Sequence, residues 1–313
     1  MSSTGPFDVL YGAGRALGPQ SQNLGHLRAQ AKMRVAQSEL TDHRSGRSDL
    51  MRSEYWLAHG PHATPDDGRC AMEWVSYLAG EPHSDQPACV SPALRAFCVA
   101  FNDGLENNAR QRLRPYLART IGTTHDGLDE QRSWMAMDWL IRVYAPAWLE
   151  LAGVTDAARG LAVLAPVRGV GDLAAALETL EPARRDARDA LRTALRGSHV
   201  ARALPAAAGR SARRAAWASG EPAVWVVVRI PVGGAAGEIA REQVRAAAGD
   251  CAAAFRQTRG LDGGPSSRAA ARDALITAGA ALHQSAFALL DRMLPTEALA
   301  PAPADVTDGL AAA

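Results

Sequence analysis

Lysine is nearly missing from this chain: of its 34 lysine and arginine residues only Lys32 is a lysine. No charge of one sign dominates either, because 33 acidic residues leave a formal net charge of +1. A nearly neutral chain has no general attraction for nucleic acid or for anionic membranes. The arginine excess is therefore better explained by codon usage in a GC-rich coding sequence than by selection for phosphate contacts.

Cysteine and long apolar runs are also scarce. The four cysteines are Cys70, Cys89, Cys98 and Cys251, too few for the disulfide framework of a small secreted domain. The longest apolar run, near Ala223–Ile230, is far shorter than the roughly 20 residues that span a bilayer. The N-terminus lacks a basic region followed by an apolar run, so no signal peptide is expected. These absences predict a soluble cytoplasmic protein without a membrane segment.

Alanine accounts for much of the apolar share, which is 47% of the chain. That share is large enough to fill a core, which excludes a wholly disordered chain. The hydrophobic periodicity predicts a mostly α, bundle-like globular protein. The valine-dense run at 223–230 has strand chemistry, so one short β element is expected there. A buried helical turn stays open as its alternative, since a lone strand has no ladder partner.

Composition divides the chain into four regions, with the clearest change near Gly153, after which the chain is rich in alanine and arginine. A possible helix at Ser21–Glu39 lies in the first of them. The predicted regions are a loose N-terminal arm (1–53), a helical module (54–153), an Ala/Arg-rich helical region (154–294) and a disordered tail (295–313).

Helix boundaries are best marked around residues 66–104. Asp67 is expected to cap a helix over about Cys70–Leu78 that Gly80 ends, and Ser91 with Pro92 to open a helix to about Phe101. Prolines predict breaks or kinks in or between later helices. The other predicted helices are Asn107–Arg119 with a break at Pro115, Asp129–Tyr144 ended or kinked by Pro146, Thr155–Leu164, Gly171–Leu180, Pro182–Leu195, Ser211–Ser219, Ala235–Thr258 and Ser266–Leu294.

The stretch from Asp66 to Asp103 concentrates the reactive side chains, including three of the four cysteines. Thiolates and imidazoles are the usual zinc ligands. The candidate metal ligands are His59, His62, Cys70 and Cys89. Their spacing matches no CxxC or HExxH pattern, so zinc is only a hypothesis. In the alternative, cysteines such as Cys70 and Cys98 are small buried hydrophobic residues.

A second hypothesis makes Cys89 a nucleophile, with His83 as its base and Asp85 or Asp103 to orient the ring. The helix that begins after Cys89 would lower the pKa of its thiol. The candidate ligand-binding residues are His83, Asp85, Cys89, Asn102 and Asp103. These residues also have purely structural interpretations. Asp85 is suited to an Asx turn, and the Asn102-Asp103-Gly104 sequence is suited to the end of a helix.

Several segments together resemble a family. They are CAMEWVSYLAGEPHSDQPACVSP, FNDGL, IGT, WMAMDWLIRVYAPAWLELAG and the closing QSAFALLDRML. This pattern is similar to that of a group of uncharacterised actinobacterial and actinobacteriophage-type helical proteins. The resemblance covers about 70–153 and the last helix, and it implies a cellular setting but no activity, cofactor or catalytic residue.

Two functions follow from these patterns. The first is a non-enzymatic, cytoplasmic interaction or accessory protein with a protein partner or a homo-oligomeric state, because no catalytic motif is complete. The second is a metal- or cysteine-dependent hydrolytic enzyme that uses the His59–Asp103 segment. Nucleic-acid binding is disfavoured, because Asp186 and Asp189 are placed to pair with neighbouring arginines along their helix.

Overall fold

The computed structural model describes residues 56–197, 221–228, 233–261 and 265–295. The predicted arm (1–53) with its Ser21–Glu39 helix, the Ser211–Ser219 helix and all but the first residue of the predicted tail lie outside these ranges. Within them the regular structure is helical, and the single β contact is an isolated parallel bridge between Leu57 and Arg69. The mostly α prediction is confirmed. None of the described helices is long and apolar enough to cross a membrane.

The helices are numbered here in chain order. They are α1 (Ala71–Ala79), α2 (Pro92–Gly104), α3 (Asn107–Arg110), α4 (Arg114–Thr120), α5 (Asp129–Trp139), α6 (Ala145–Leu151), α7 (Thr155–Ala162), α8 (Val170–Gly197), α9 (Glu221–Val228), α10 (Gly234–Phe255) and α11 (Pro265–Met293). Short 3₁₀ turns occur at Pro65–Asp67 and Gln111–Leu113. Wider, π-helical turns occur at Leu140–Tyr144 and Arg256–Leu261.

The ends of α1 and α2 follow local chemistry. Gly80 ends α1 in the left-handed conformation, at φ 74° and ψ 24°, as predicted. The Ser91 hydroxyl accepts the N–H of Leu94 at 3.3 Å and caps α2, also as predicted. The prediction that Asp67 caps α1 is wrong: its carboxylate accepts the hydroxyl of Thr64 at 2.8 Å and closes the preceding 3₁₀ turn. The N-cap residue of α1 is Cys70.

Pro146 and Pro182 both lie within continuous helical paths. Pro146 was expected to end or kink its helix: the path does not end there, but a π-helical turn at Leu140–Tyr144 interrupts the regular helix before α6, where Pro146 is an early residue. A wider turn suits the residues before a proline, since its ring would crowd the carbonyl four residues earlier in a regular helix. Pro182 was expected to separate two helices but lies inside the continuous α8. Leu180 and Ala183 are buried on either side of it, so tertiary packing holds the helix across the proline.

The valine run forms a helix rather than the expected β element, because residues 223–228 lie in α9. Ala223, Val224 and Val227 are fully buried, and α9 packs against α2 and α5. Burial on a helical face outweighs the weak helix propensity of valine, which is worth only tenths of a kcal/mol per residue. The last two residues of the predicted element, 229–230, lie outside the described ranges.

The buried side chains form one continuous cluster that includes both the 54–153 and the 154–294 regions. Helices α8 and α10 run side by side in the same direction, since Gly233 lies against Leu173 and Arg188 approaches Asp250 at 3.6 Å. Helix α11 then returns to the first region. There the Phe287 ring packs 4.8 Å from that of Phe101, centroid to centroid.

Candidate functional site around Glu73

Glu73, the third residue of α1, occupies the centre of the segment that the sequence predicts to carry chemistry. Its side chain is only 1% exposed. One carboxylate oxygen accepts the backbone N–H of His62 at 2.6 Å, and the other accepts that of Cys70 at 2.7 Å. The second oxygen also accepts the His62 ring Nδ1–H at 2.8 Å. The carboxylate therefore joins the 58–70 loop to the first turn of α1.

The surroundings of Glu73 keep it ionised. Burial on its own raises the pKa of this carboxyl, but the backbone N–H groups of His62 and Cys70 and the His62 ring outweigh burial. The pKa of Glu73 therefore lies below its ordinary value of 4.5. Hydrogen bonds to a charged acceptor are about twice as strong as neutral ones, so this contact holds the loop firmly.

The side chains of His62 and His83, the two histidines next to Glu73, point into the protein. His62 and Glu73 form an imidazole–carboxylate pair of the kind that orients a general base. The free Nε2 edge of His62 lies against Gly68, where an added Cβ would be only 3.0 Å from that nitrogen. Gly68 has φ +128°, so this close approach also depends on glycine. His83 donates from Nε2 to the His62 carbonyl at 3.1 Å, and the same nitrogen is 3.8 Å from Glu73.

Cys89 lies in the loop between α1 and α2, where its backbone is fully engaged. Its N–H donates to Glu81 at 3.0 Å, and its carbonyl accepts the N–H groups of Gly122 at 2.9 Å and Thr123 at 3.0 Å. Burial is the main cause and the nearby carboxylate of Glu81 the second, and together they raise the pKa of the Cys89 thiol to about 12. That shift is opposite to the one that the nucleophile hypothesis requires.

Asn102 and Asp103, near the end of α2, bind the backbone at the beginning of the 58–70 loop. The Asn102 amide donates to the carbonyl of Ala58 at 2.9 Å, and Asp103 accepts the N–H of Gly60 at 2.9 Å. Asn102 is fully buried, and its Oδ1 has no hydrogen-bond partner among the described residues. Asp85, the other predicted ligand-binding carboxylate, is half-buried in the loop before Cys89.

The structure does not gather the four candidate metal ligands. His59 is exposed, His62 is turned to Glu73, Cys70 is buried at the start of α1 and Cys89 lies in the next loop. Throughout the described part of the chain, no three His, Cys, Asp or Glu side chains are grouped as a metal ion would need. Burial also raises the pKa of the Cys70 thiol to about 12.

A second ion pair, which sequence reasoning missed, lies at Arg132 on α5, where the arginine is buried and its acidic partners are partly exposed. Arg132 is 1% exposed and donates to Asp126 at 2.9 Å and to the carbonyl of Met293 at 3.1 Å. Asp129, the next acidic residue, accepts both Arg132 at 3.2 Å and the hydroxyl of Ser91. The network connects the starts of α2 and α5 with the end of α11.

The sequence does contain a signal for Glu73. A glutamate three residues after a helix N-cap has the spacing of a capping box, and Cys70 and Glu73 have that spacing. Asp67, a preferred N-cap residue type three positions earlier, obscures this pattern in the sequence. No protein-family model, curated protein or solved structure matches the chain.

Proposed function

We propose that this chain is a non-enzymatic interaction or accessory protein of the cytoplasm, in which the 57–103 segment is a scaffold and not a catalytic centre. The observation that carries the proposal is the direction of the buried polar groups. Glu73 and Asn102 bind backbone of their own region, and Arg110 does the same with the carbonyls of Asn102 at 2.8 Å and Leu105 at 2.7 Å. A catalytic group must instead reach a substrate.

Exposed apolar side chains on the surface supply the complementary observation. Val163, just after α7, is 75% exposed, and Val170 on α8, Ile239 on α10 and Ile276 on α11 are 58%, 51% and 58% exposed. Single exposed apolar residues are normal on protein surfaces. Partner binding is therefore supported by two facts taken together. The protein surface presents exposed apolar side chains, and the buried polar side chains of the 57–103 segment bind the protein's own backbone.

The enzyme alternative is tested on the purified chain. We expect elemental analysis to find no metal that is present in the wild type and lost in Cys89→Ser. We also expect iodoacetamide at neutral pH to alkylate Cys89 more slowly in the native chain than in the urea-unfolded chain, because its native pKa is about 12. Near-stoichiometric zinc that depends on Cys89, or faster alkylation in the native chain, would overturn the proposal.

Partner binding is tested by quantitative capture on the immobilised full chain from an extract of the cells that make it. Wild type is compared with Val163→Ser and Ile239→Ser, and with Glu150→Gln as an exposed control outside these positions. We expect at least one protein to be retained by wild type and Glu150→Gln and reduced several-fold with an apolar-to-serine variant. Retention of no protein above a blank support would refute partner binding.

A further inference from the structure

The outward face of α11 carries a stripe of exposed residues. Ala269, Arg272, Asp273, Ile276 and Ala280 are all exposed and recur at helical spacing. Ile276 is 58% exposed, although isoleucine usually prefers burial. The neighbouring face, which includes Leu282, lies against α6. The stripe is therefore the side of α11 that the described part of the chain leaves uncovered.

The centre of this stripe holds one positive and one negative side chain, next to each other in the sequence. Ion pairs between described residues include Arg188 on α8 with Asp250 on α10, and Arg241 with Glu238 within α10. Arg272 and Asp273 take part in no ion pair within the described ranges. Both charges are thus available to a partner.

We propose that this face binds a second copy of the same chain, with the two α11 helices antiparallel and the two-fold axis between Arg272 and Asp273. In that register Arg272 lies opposite Asp273 of the second copy, and the reverse contact forms by symmetry. Ile276 then lies opposite Ala269 of the second copy, so a large side chain meets a small one on both sides. The inference rests on the proposed function, since it names one partner for an interaction protein.

The stripe complements itself in charge and in size, which favours a second copy over an unrelated partner. Its length limits the strength of the contact. From 269 to 280 the helix rises about 17 Å at 1.5 Å per residue. A contact of that length buries less than the roughly 800 Å² per partner of a standard interface. We therefore expect a weak, concentration-dependent dimer that salt weakens further, because exposed ion pairs are screened.

Charge-swap variants of the full chain test the register by sedimentation velocity at low salt. Arg272→Asp places two acids on the stripe, and Asp273→Arg places two bases. We expect each single variant to self-associate at least tenfold more weakly than wild type. An equimolar mixture of the two, and the double variant that carries both changes, should each regain association because opposite charges face each other again.

Substitutions of two isoleucines on different helices test the apolar part of the proposed dimer contact. Ile276→Ser should weaken the dimer at least several-fold, whereas Ile239→Ser, which removes a similarly exposed isoleucine from α10, should leave it unchanged. We expect every variant to fold, because all the substituted side chains are exposed. Circular dichroism of each variant checks this.

Three results would overturn the inference: a wild-type chain that stays monomeric at the highest soluble concentration, single charge variants that associate like wild type, or a mixture that remains monomeric. These outcomes are distinct from failure of the proposed function. A monomeric chain that still captures another protein refutes only the α11 dimer. A dimer that captures no other protein refutes only the existence of a further partner.

Discussion

The substitution Glu73→Gln tests whether the segment around α1 is held together by one buried carboxylate. Glutamine keeps one oxygen acceptor but replaces the other oxygen by an NH₂ group. At least one of the N–H groups of His62 and Cys70 then faces a donor and loses its partner. Leaving a buried donor unsatisfied costs about 1–3 kcal/mol, and loss of the charge-assisted bond adds to it. We expect the free energy of unfolding at pH 7 to fall by about 2–4 kcal/mol.

The effect of this substitution depends on pH with a definite sign. The folded pKa of Glu73 lies below 4.5, so the native state favours the ionised form more than the unfolded state does. Its contribution to stability is fully present above the unfolded pKa and is lost as pH falls through the folded pKa. The difference in unfolding free energy between wild type and Glu73→Gln should therefore be constant from pH 7 to about 5 and shrink below pH 4.5.

Urea unfolding, followed by circular dichroism at several pH values, measures both quantities. Glu150→Gln is the matched control, because Glu150 is exposed on α6, and we expect it to change stability by less than about 0.5 kcal/mol. A Glu73→Gln protein as stable as this control at pH 7 would refute the structural role of the carboxylate. A stability difference that grows as the solution becomes more acidic would show that the pKa of Glu73 is raised, contrary to the argument.

Three further predictions concern other positions. Arg132→Met should destabilise the fold by about 1–3 kcal/mol in urea unfolding, because the carbonyl of the buried Met293 loses its donor; Arg159→Met, at an exposed ion pair, should change it by less than about 0.5 kcal/mol. Gly249→Ala should raise the melting temperature, since an added Cβ meets no atom within 4 Å and alanine gains about 1 kcal/mol in a helix. Gly233→Ala should lower the melting temperature, because φ is +71° and the added Cβ would be 3.0 Å from Leu173.

The sequence predicts well those features that are set within a few neighbouring residues. Gly80 at the end of α1 and Ser91 with Pro92 at the start of α2 lie where the local chemistry indicates. The break before Pro115 is also present, as a 3₁₀ turn between α3 and α4. Each of these depends on backbone geometry or on a hydrogen bond within one turn, so no knowledge of the tertiary fold is needed.

Features that depend on distant contacts were not predictable in this way. The valines of α9 have strand propensity, and only their burial against α2 and α5 makes a helix more stable than a strand here. Nothing in the local pattern shows that Arg132 will meet the carbonyl of Met293, 161 residues later. His62 and Asn102 stand out in the sequence as reactive residues, but their partners, the Glu73 carboxylate and the Ala58 carbonyl, lie 11 and 44 positions away, and the local pattern does not show the pairing.

Helix length offers a physical reason for the difference between the two halves of the chain. Each helix end leaves four backbone groups without an intrahelical partner. The first half has short helices, such as α1 with 9 residues, α3 with 4 and α4 with 7, so many ends lie in or near the core. Side chains such as Glu73, Ser91 and Arg110 satisfy backbone groups at or beside these ends.

The second half is dominated by long helices, with 28 residues in α8, 22 in α10 and 29 in α11. Few ends then need partners, and alanine can fill most positions because it packs closely and favours the helix. The concentration of His, Asp, Asn and Cys in 59–103 is thus the composition that a buried set of helix ends and loops requires. A catalytic centre is not needed to account for it, which supports our proposal that the function lies on the outer faces of the helices.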